Sequence, residues 1–325
     1  MERLSLALSA LAIGVMAALS LAAGGAPMAP GPENHEFSAP LPVTIDGYIG
    51  HAMEPFLARD GTLLFFNNRN APSDQTDLHL ARRTGPTRFR YLGRLAGANS
   101  AALDGVASAD RYGRFYFVST REYRRSGNTL WTGSLMKHAV VDAAPLLTDF
   151  TPKRALRLNI DMEISADGGT LYFAENRWDL LRGVPASSDL AMASRSGSRF
   201  VRMKQSDQWL AAINTPALEF APATSADQLT LYFTRLDMNL LRRKLPGAFA
   251  IMVATRANLE SAWSEPQRIA AITGQVEGPT VTPDGCGIYF HRLEDGMFRL
   301  FLAQRKDCLK RSAVTQDSAR SLPPS

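Results

Sequence analysis

Short apolar runs that end in aromatic residues recur along the chain, each after a turn that contains Asp. Five segments share an acidic residue, a short strand, an Asp turn, an aromatic-ended strand and then Arg: 54–69, 104–121, 161–177, 219–235 and 277–292. The turn aspartates are Asp60, Asp110, Asp167, Asp227 and Asp284, spaced between 50 and 60 residues apart. A recurring unit of this size predicts a stacked or radial repeat.

Each repeat predicts four antiparallel strands. Asp60-Gly61 lies between two short β-rich runs, as a hairpin turn requires. In the fourth repeat, Leu231-Tyr232-Phe233 predicts the second strand, Ala250 to Arg256 the third, and Trp263 to Ile269 the fourth. Four such strands are the content of a propeller blade, so we predict an all-β, five-bladed β-propeller. A sixth, degenerate blade would also fit the spacing.

The last repeat lacks an evident fourth strand, because the chain turns polar after Cys308. The segment from Phe37 to Val43 matches the pattern of the fourth strand from Trp263 to Ile269. We therefore expect residues 37–46 to complete the last blade. Such closure covers sheet edges that would otherwise be exposed.

The repeats resemble the WD40-like, TolB-type propeller repeat of bacterial envelope proteins. The motif is carried by Asn214-Thr215 with Glu219, Pro222 and Leu231-Tyr232-Phe233, and by Glu54-Pro55 with Asp60-Gly61. The second and third repeats lack the proline. The resemblance implies a propeller with an envelope-associated binding role, and it supplies no catalytic residues.

The N-terminus predicts export. A short charged start precedes an apolar run from Leu4 to Ala23, and small residues and prolines follow. We assign residues 1–26 to a signal peptide, with an uncleaved anchor as the alternative. The propeller then occupies 27–308, and the polar tail 309–325 is expected to be disordered. The expected location is periplasmic or secreted, and the protein would contact a membrane only if the segment stays uncleaved.

Composition narrows the classes of function. Lys and Arg number 36 against 31 acidic residues, and the resulting charge of +5 is spread without a basic block, which argues against a nucleic-acid partner. Two cysteines exclude a four-cysteine zinc site, and outside the cytoplasm Cys286 and Cys308 predict a disulfide. The five histidines show no metal-ligand spacing, and neither a phosphate-binding loop nor a nucleophile elbow is present.

Candidate site residues come from the repeated acids and arginines. The acids at the innermost strands, expected at one mouth of the central channel, are Glu54, Asp104, Asp161, Glu163, Glu219 and Glu277. The arginines that follow the second strands are Arg69, Arg121, Arg177, Arg235 and Arg292. Because both sets repeat, we expect ion pairs between blades. The alternatives are a ligand site, with Ca²⁺ in the channel as the one cofactor that would fit, or paired acids for glycoside hydrolysis.

Two basic stretches, Arg121 to Arg125 and Leu240 to Leu245, are predicted in loops between second and third strands. They are either solvated loops or a surface for an anionic partner. The favoured function is a monomeric, non-enzymatic binding module for an envelope protein or a glycan. The alternative is a hydrolase that acts on a carbohydrate or a lactone with its inner-strand carboxylates.

Overall fold

The strands of each repeat pair in chain order to form separate antiparallel blades. The computed structural model describes residues 33–69, 75–154, 156–179 and 184–311. The predicted signal peptide therefore lies outside the described residues. Of the tail expected to be disordered, the structure describes only 309–311, which end a helical segment spanning 306–311.

The N-terminal segment contains three short strands. Four strands follow in each of the first four repeats, and three follow in the fifth. The N-terminal strands are β1 (Glu33–Asn34), β2 (Leu41–Pro42) and β3 (Thr44–Asp46). Blade one consists of β4 (Met53–Leu57), β5 (Leu63–Asn67), β6 (Leu78–Gly85) and β7 (Arg88–Arg94). Blade two consists of β8 (Asp104–Ala109), β9 (Arg114–Ser119), β10 (Leu130–Met136) and β11 (Ala139–Pro145). Blade three consists of β12 (Arg157–Ile164), β13 (Thr170–Asp179), β14 (Val184–Ser196) and β15 (Arg199–Arg202).

The last two blades follow the same order. Blade four consists of β16 (Leu218–Thr224), β17 (Thr230–Leu236), β18 (Phe249–Thr255) and β19 (Gln267–Ile269). Blade five contains β20 (Val276–Val281), β21 (Gly287–Glu294) and β22 (Met297–Gln304). The short helices are α1 (Tyr123–Ser126), α2 (Ser206–Trp209) and α3 (Met238–Arg242). No helix within the described ranges is long and apolar enough to cross a membrane.

The N-terminal segment supplies the outer strand of blade five. Strand β2 pairs antiparallel with β22, and Phe37 bridges Arg305 further along the same edge. Strand β3 then pairs parallel with β7 of blade one. The expectation that residues 37–46 complete the last blade is therefore wrong for residues 44–46. The first strands of neighbouring blades contact one another in sequence, and β20 contacts β4. These contacts run from each repeat to the next and from the last repeat to the first. The expectation of an all-β propeller is confirmed.

Burial follows position in the blade. The second strands are buried on both faces, as in β13 and β17, because each blade packs between two neighbours. The outer strand β7 alternates instead, with Phe89 buried between exposed arginines. This period-2 alternation is expected for a strand with one face in water.

Arginines of the third strands, and not those that follow the second strands, join neighbouring blades. Arg256 donates to the Tyr172 hydroxyl of the preceding blade at 3.0 Å, and Arg195 donates to Tyr116 in the same way. The equivalent pairs are Arg305 with Tyr232 and Arg83 with Tyr289. The tyrosine of the Leu-Tyr-Phe motif is therefore a contact between blades. The prediction of ion pairs between blades is wrong for Arg121, Arg235 and Arg292, which pair with acids of their own blades.

Candidate functional site

A β-bulge in every first strand shapes the wall of the central channel. The pairing of each first strand with its second strand is shifted at one position, where the backbone has a positive φ. The bulged residues are Glu54, Val106, Asp161, Ala221 and Gly278. A bulge re-aims side chains out of the regular pleat. These five residues line a cavity between the first strands, with a volume of about 20 Å³.

The predicted acids do not share one position in the blade. Glu54 and Asp161 occupy the bulge itself, and Glu277 precedes the bulge by one residue. Asp104 and Glu219 precede it by two residues, and Glu163 follows it by two. The acids that looked equivalent in the sequence therefore occupy four different positions relative to the bulge. Only some of these carboxylates face the channel.

Asp104 and Glu219 are fully buried and form ion pairs within their own blades. Arg121 lies 2.6 Å from Asp104, and Arg235 lies 2.8 Å from Glu219. The expected pairing between blades is thus wrong for both arginines. A hydroxyl completes each pair, since Ser100 and Thr215, which each follow an Asn, donate to the acid four residues later. Burial still raises the pKa of Glu219. These contacts give the repeat motif a structural role.

Glu163 is neutralised by a residue that the sequence did not indicate. Arg59, just before the turn of blade one, lies 2.7 Å from the Glu163 carboxylate. The Ser108 hydroxyl donates to the other carboxylate oxygen at 2.7 Å. Glu163 therefore ties blades one, two and three together at the channel wall, and its charge is already compensated.

The remaining predicted arginines do not contact the channel acids. Arg292 pairs with Glu294 on its own strand, and its guanidinium lies 3.8 Å from the centroid of the Phe301 ring. Arg69 and Arg177 are exposed to solvent.

Three predicted acids remain without an ion pair to Lys or Arg among the described residues: Glu54, Asp161 and Glu277. Burial and the charges of the other two acids raise the pKa of Glu54 well above its usual range. Burial raises the pKa of Asp161 to about 7, although the Ala221 N–H donates to its carboxylate and opposes the rise. Burial and the Asp161 charge raise the pKa of Glu277 to about 7. The cluster therefore holds protons or positive charge near neutral pH.

His291 completes the cluster, which the sequence did not predict. It is fully buried opposite Glu277 in the register of blade five. The backbone N–H of Glu54 donates to its Nδ1 at 3.2 Å. Its Nε2 lies 3.9 Å from a Glu277 oxygen and has no hydrogen-bond partner within the described part of the chain. Burial lowers the pKa of His291 to about 3, so the ring is neutral and Nε2 carries its proton.

The absence of a side chain at Gly278 leaves space for Glu54 and His291. A Cβ at this position would lie 2.6 Å from Oε2 of Glu54 and 3.0 Å from Nδ1 of His291. The backbone φ of +63° also favours glycine. One signal in the sequence could have revealed the site, because only the fifth repeat has Glu-Gly where the others carry a side chain at the bulge.

The geometry of the cluster restricts its chemistry. Ligand atoms of Glu54, Glu277 and His291 lie within 4.8 Å of one another. The cavity between the bulged residues is about the size needed for one water molecule and is far too small for a sugar ring. The cavity beside Glu54 and Asp161 therefore has room for an inorganic ion or a water molecule.

Two other predicted features lie away from the channel. Cys286 and Cys308 form a disulfide with 5.7 Å between their Cα atoms. In the basic loops, Arg121 is held by Asp104, while Arg124, Arg243 and Lys244 are exposed.

No protein-family model matches the chain, and a search of curated proteins finds no match. Solved structures with a similar fold include a complex of BT0996 with RGII, with a TM-score of 0.55 at 9% identity, covering 83% of this protein and 91% of BT0996. The family 117 glycoside hydrolase Zg3597 from Zobellia galactanivorans has a TM-score of 0.53 at 10% identity, with coverages of 85% and 93%. TolB from Acinetobacter baumannii has a TM-score of 0.43 at 13% identity, and the match covers 79% of this protein and 56% of TolB. At these identities the likeness shows the fold alone, and the protein is an all-β propeller.

Proposed function

We propose that the protein is a non-enzymatic binding module outside the cytoplasm, which binds an anionic partner, glycan or protein, at one end of the propeller. The observation that carries this proposal is the small size of the cavity that Glu54 and Asp161 line. A hydrolase acting on a carbohydrate or a lactone needs carboxylates that reach an organic substrate. Here Glu54 and Asp161, two of the acids without an arginine partner, line a cavity of about 20 Å³.

The proposed binding surface is the basic loop face, defined by Arg69, Arg124, Arg177, Arg243 and Lys244. All five residues are exposed, and they come from blades one to four. Each lies in or beside the connection between a second and a third strand, and in antiparallel blades these connections lie at the same end of the ring. Loops on a rigid scaffold are the usual place for recognition, and clustered positive charge favours an anionic partner.

Binding to immobilised polymers tests this proposal. The probes are polygalacturonate as an acidic glycan, polyglutamate as an acidic polypeptide, and a neutral glucan. We expect binding to at least one acidic polymer and a loss of roughly tenfold or more in the double variant Arg243→Glu, Lys244→Glu. The matched control is Arg114→Glu, because Arg114 is an exposed arginine at the opposite end of blade two.

The outcomes separate the alternatives. Equal binding to the neutral glucan, or unchanged binding in the double variant, would exclude the basic loop face as the binding surface. Turnover of chromogenic glycosides or lactones by the purified protein would favour the hydrolase instead. Release of the protein with the periplasmic fraction or into the medium would support the proposed location, and retention in the cytoplasm would contradict it. Gel filtration would test the expected monomer.

A further inference from the structure

We infer that the central channel is a binding site for one divalent cation with a preference for oxygen ligands, held between the carboxylates of Glu54, Asp161 and Glu277. This site is independent of the proposed partner. It depends on side chains inside the ring, whereas the partner would bind at the loops.

The first argument is convergence. The three carboxylates come from blades one, three and five, and the bulges place Glu54 and Asp161 against the same cavity. The other two bulged side chains, Val106 and Ala221, are apolar, so the acids do not repeat around the ring. A feature that breaks the symmetry of the repeat is not required to close the propeller.

The second argument is charge. The charges of Glu54, Asp161 and Glu277 act on one another, and no Lys or Arg is among the described residues that line the cavity beside Glu54 and Asp161. The guanidinium of Arg59 is already paired with Glu163. A buried cluster of like charges is costly unless a proton or a cation compensates it.

The third argument is the buried histidine. His291 is fully buried beside Glu277, and its Nε2–H has no hydrogen-bond partner among the described residues. Buried polar groups are nearly always satisfied, so an orphaned donor at this point indicates a missing ligand or water. A water bound to the cation, or the Glu277 carboxylate oriented by it, would satisfy this donor.

The donor set selects the class of cation. Nδ1 of His291 already accepts the Glu54 N–H, and Nε2 carries the proton, so the imidazole offers no free lone pair. The ligands that remain are carboxylate and backbone oxygens. Hard cations such as Ca²⁺ prefer these ligands, whereas Zn²⁺ prefers nitrogen and sulfur.

Calorimetric titration of the purified, chelator-treated protein with Ca²⁺ at pH 8 tests the inference. We expect one equivalent of Ca²⁺ to bind and the melting temperature to rise with Ca²⁺ concentration. Glu277→Gln and Asp161→Asn should each weaken binding by roughly tenfold or more, because the charge of the ligands sets the affinity of such sites. Asn tolerates the positive φ of position 161, and both variants should fold.

Two further variants sharpen the test. Glu265→Gln removes an exposed acid outside the channel and should bind Ca²⁺ as the original protein does. Gly278→Ala removes no ligand but places a methyl group against Glu54 and His291, and it should weaken binding as well. A folded protein that binds no Ca²⁺ at millimolar concentration, or channel variants with unchanged affinity, would overturn the inference.

Discussion

Replacing Glu277 with Gln should stabilise the metal-free protein at high pH and leave its stability unchanged at low pH. The substitution keeps the shape of the side chain and removes its charge. In the folded protein the pKa of Glu277 is raised from 4.5 to about 7 by burial and by the Asp161 charge. The folded state binds the Glu277 proton more tightly than the unfolded state does, so protonation of Glu277 stabilises the folded protein. This contribution is fully present below pH 4.5 and is lost as the pH rises through 7.

The size of this stability difference follows from the shift in the pKa of Glu277. One pKa unit corresponds to about 1.4 kcal/mol, so the ionised Glu277 lowers the free energy of unfolding by about 3 kcal/mol at pH 8. That is a large part of the ~5–15 kcal/mol that a typical domain has. Gln at this position cannot ionise, and the variant should therefore be more stable than the original protein by up to about 3 kcal/mol at pH 8.

Urea denaturation in EDTA, followed by tryptophan fluorescence at pH 4 and pH 8, measures this difference. Glu265→Gln serves as the control. Because the carboxylate of Glu265 is exposed, its removal should change the free energy of unfolding by the same small amount at both values of pH. A Glu277→Gln variant that is less stable than the original protein at pH 8, or that differs equally at both pH values, would refute the reasoning. Added Ca²⁺ should narrow the difference at pH 8, because the original protein binds the cation more tightly than the variant does.

Three further predictions concern the contacts that hold the ring. Arg121→Met should lower the free energy of unfolding by about 3–5 kcal/mol in urea, because it leaves the buried Asp104 carboxylate without its partner; a loss below about 1 kcal/mol would contradict the structural role. Tyr172→Phe removes the hydroxyl that accepts from Arg256 between blades and should cost about 1–3 kcal/mol in the same assay, whereas no loss would show that this bond contributes little. Cys308→Ser opens a disulfide that links residues 22 apart and should cost about 3 kcal/mol, and mass spectrometry that finds free thiols in the purified, unreduced protein would contradict the bond itself.

The fold could be predicted from the sequence because its signals are local. The Asp turns and the Leu-Tyr-Phe runs depend on hairpin chemistry and on burial within one repeat, and both are visible in the residues. The resemblance between Phe37 to Val43 and a fourth strand located the segment that pairs with β22. The disulfide followed from compartment and from an isolated cysteine pair.

The site could be predicted only in part, because the bulges are not encoded by residue type. A bulge can carry Glu, Val, Asp, Ala or Gly, so the sequence did not show which acid turns into the channel. The acids of the repeat motif, Asp104 and Glu219, looked equivalent to Glu54 and proved to be structural. The sequence did not indicate His291 as a site residue, because only the pairing of the first and second strands of blade five places it opposite Glu277.

The most direct test of this account is a crystal structure of the protein grown with Ca²⁺ at pH 8, with data collected at a long wavelength where Ca²⁺ scatters anomalously. The account predicts five blades in a closed ring and one anomalous peak in the channel, within coordination distance of Glu54, Asp161 and Glu277. Peaks confined to the outer surface, or a channel whose three carboxylates are paired with basic side chains, would contradict it.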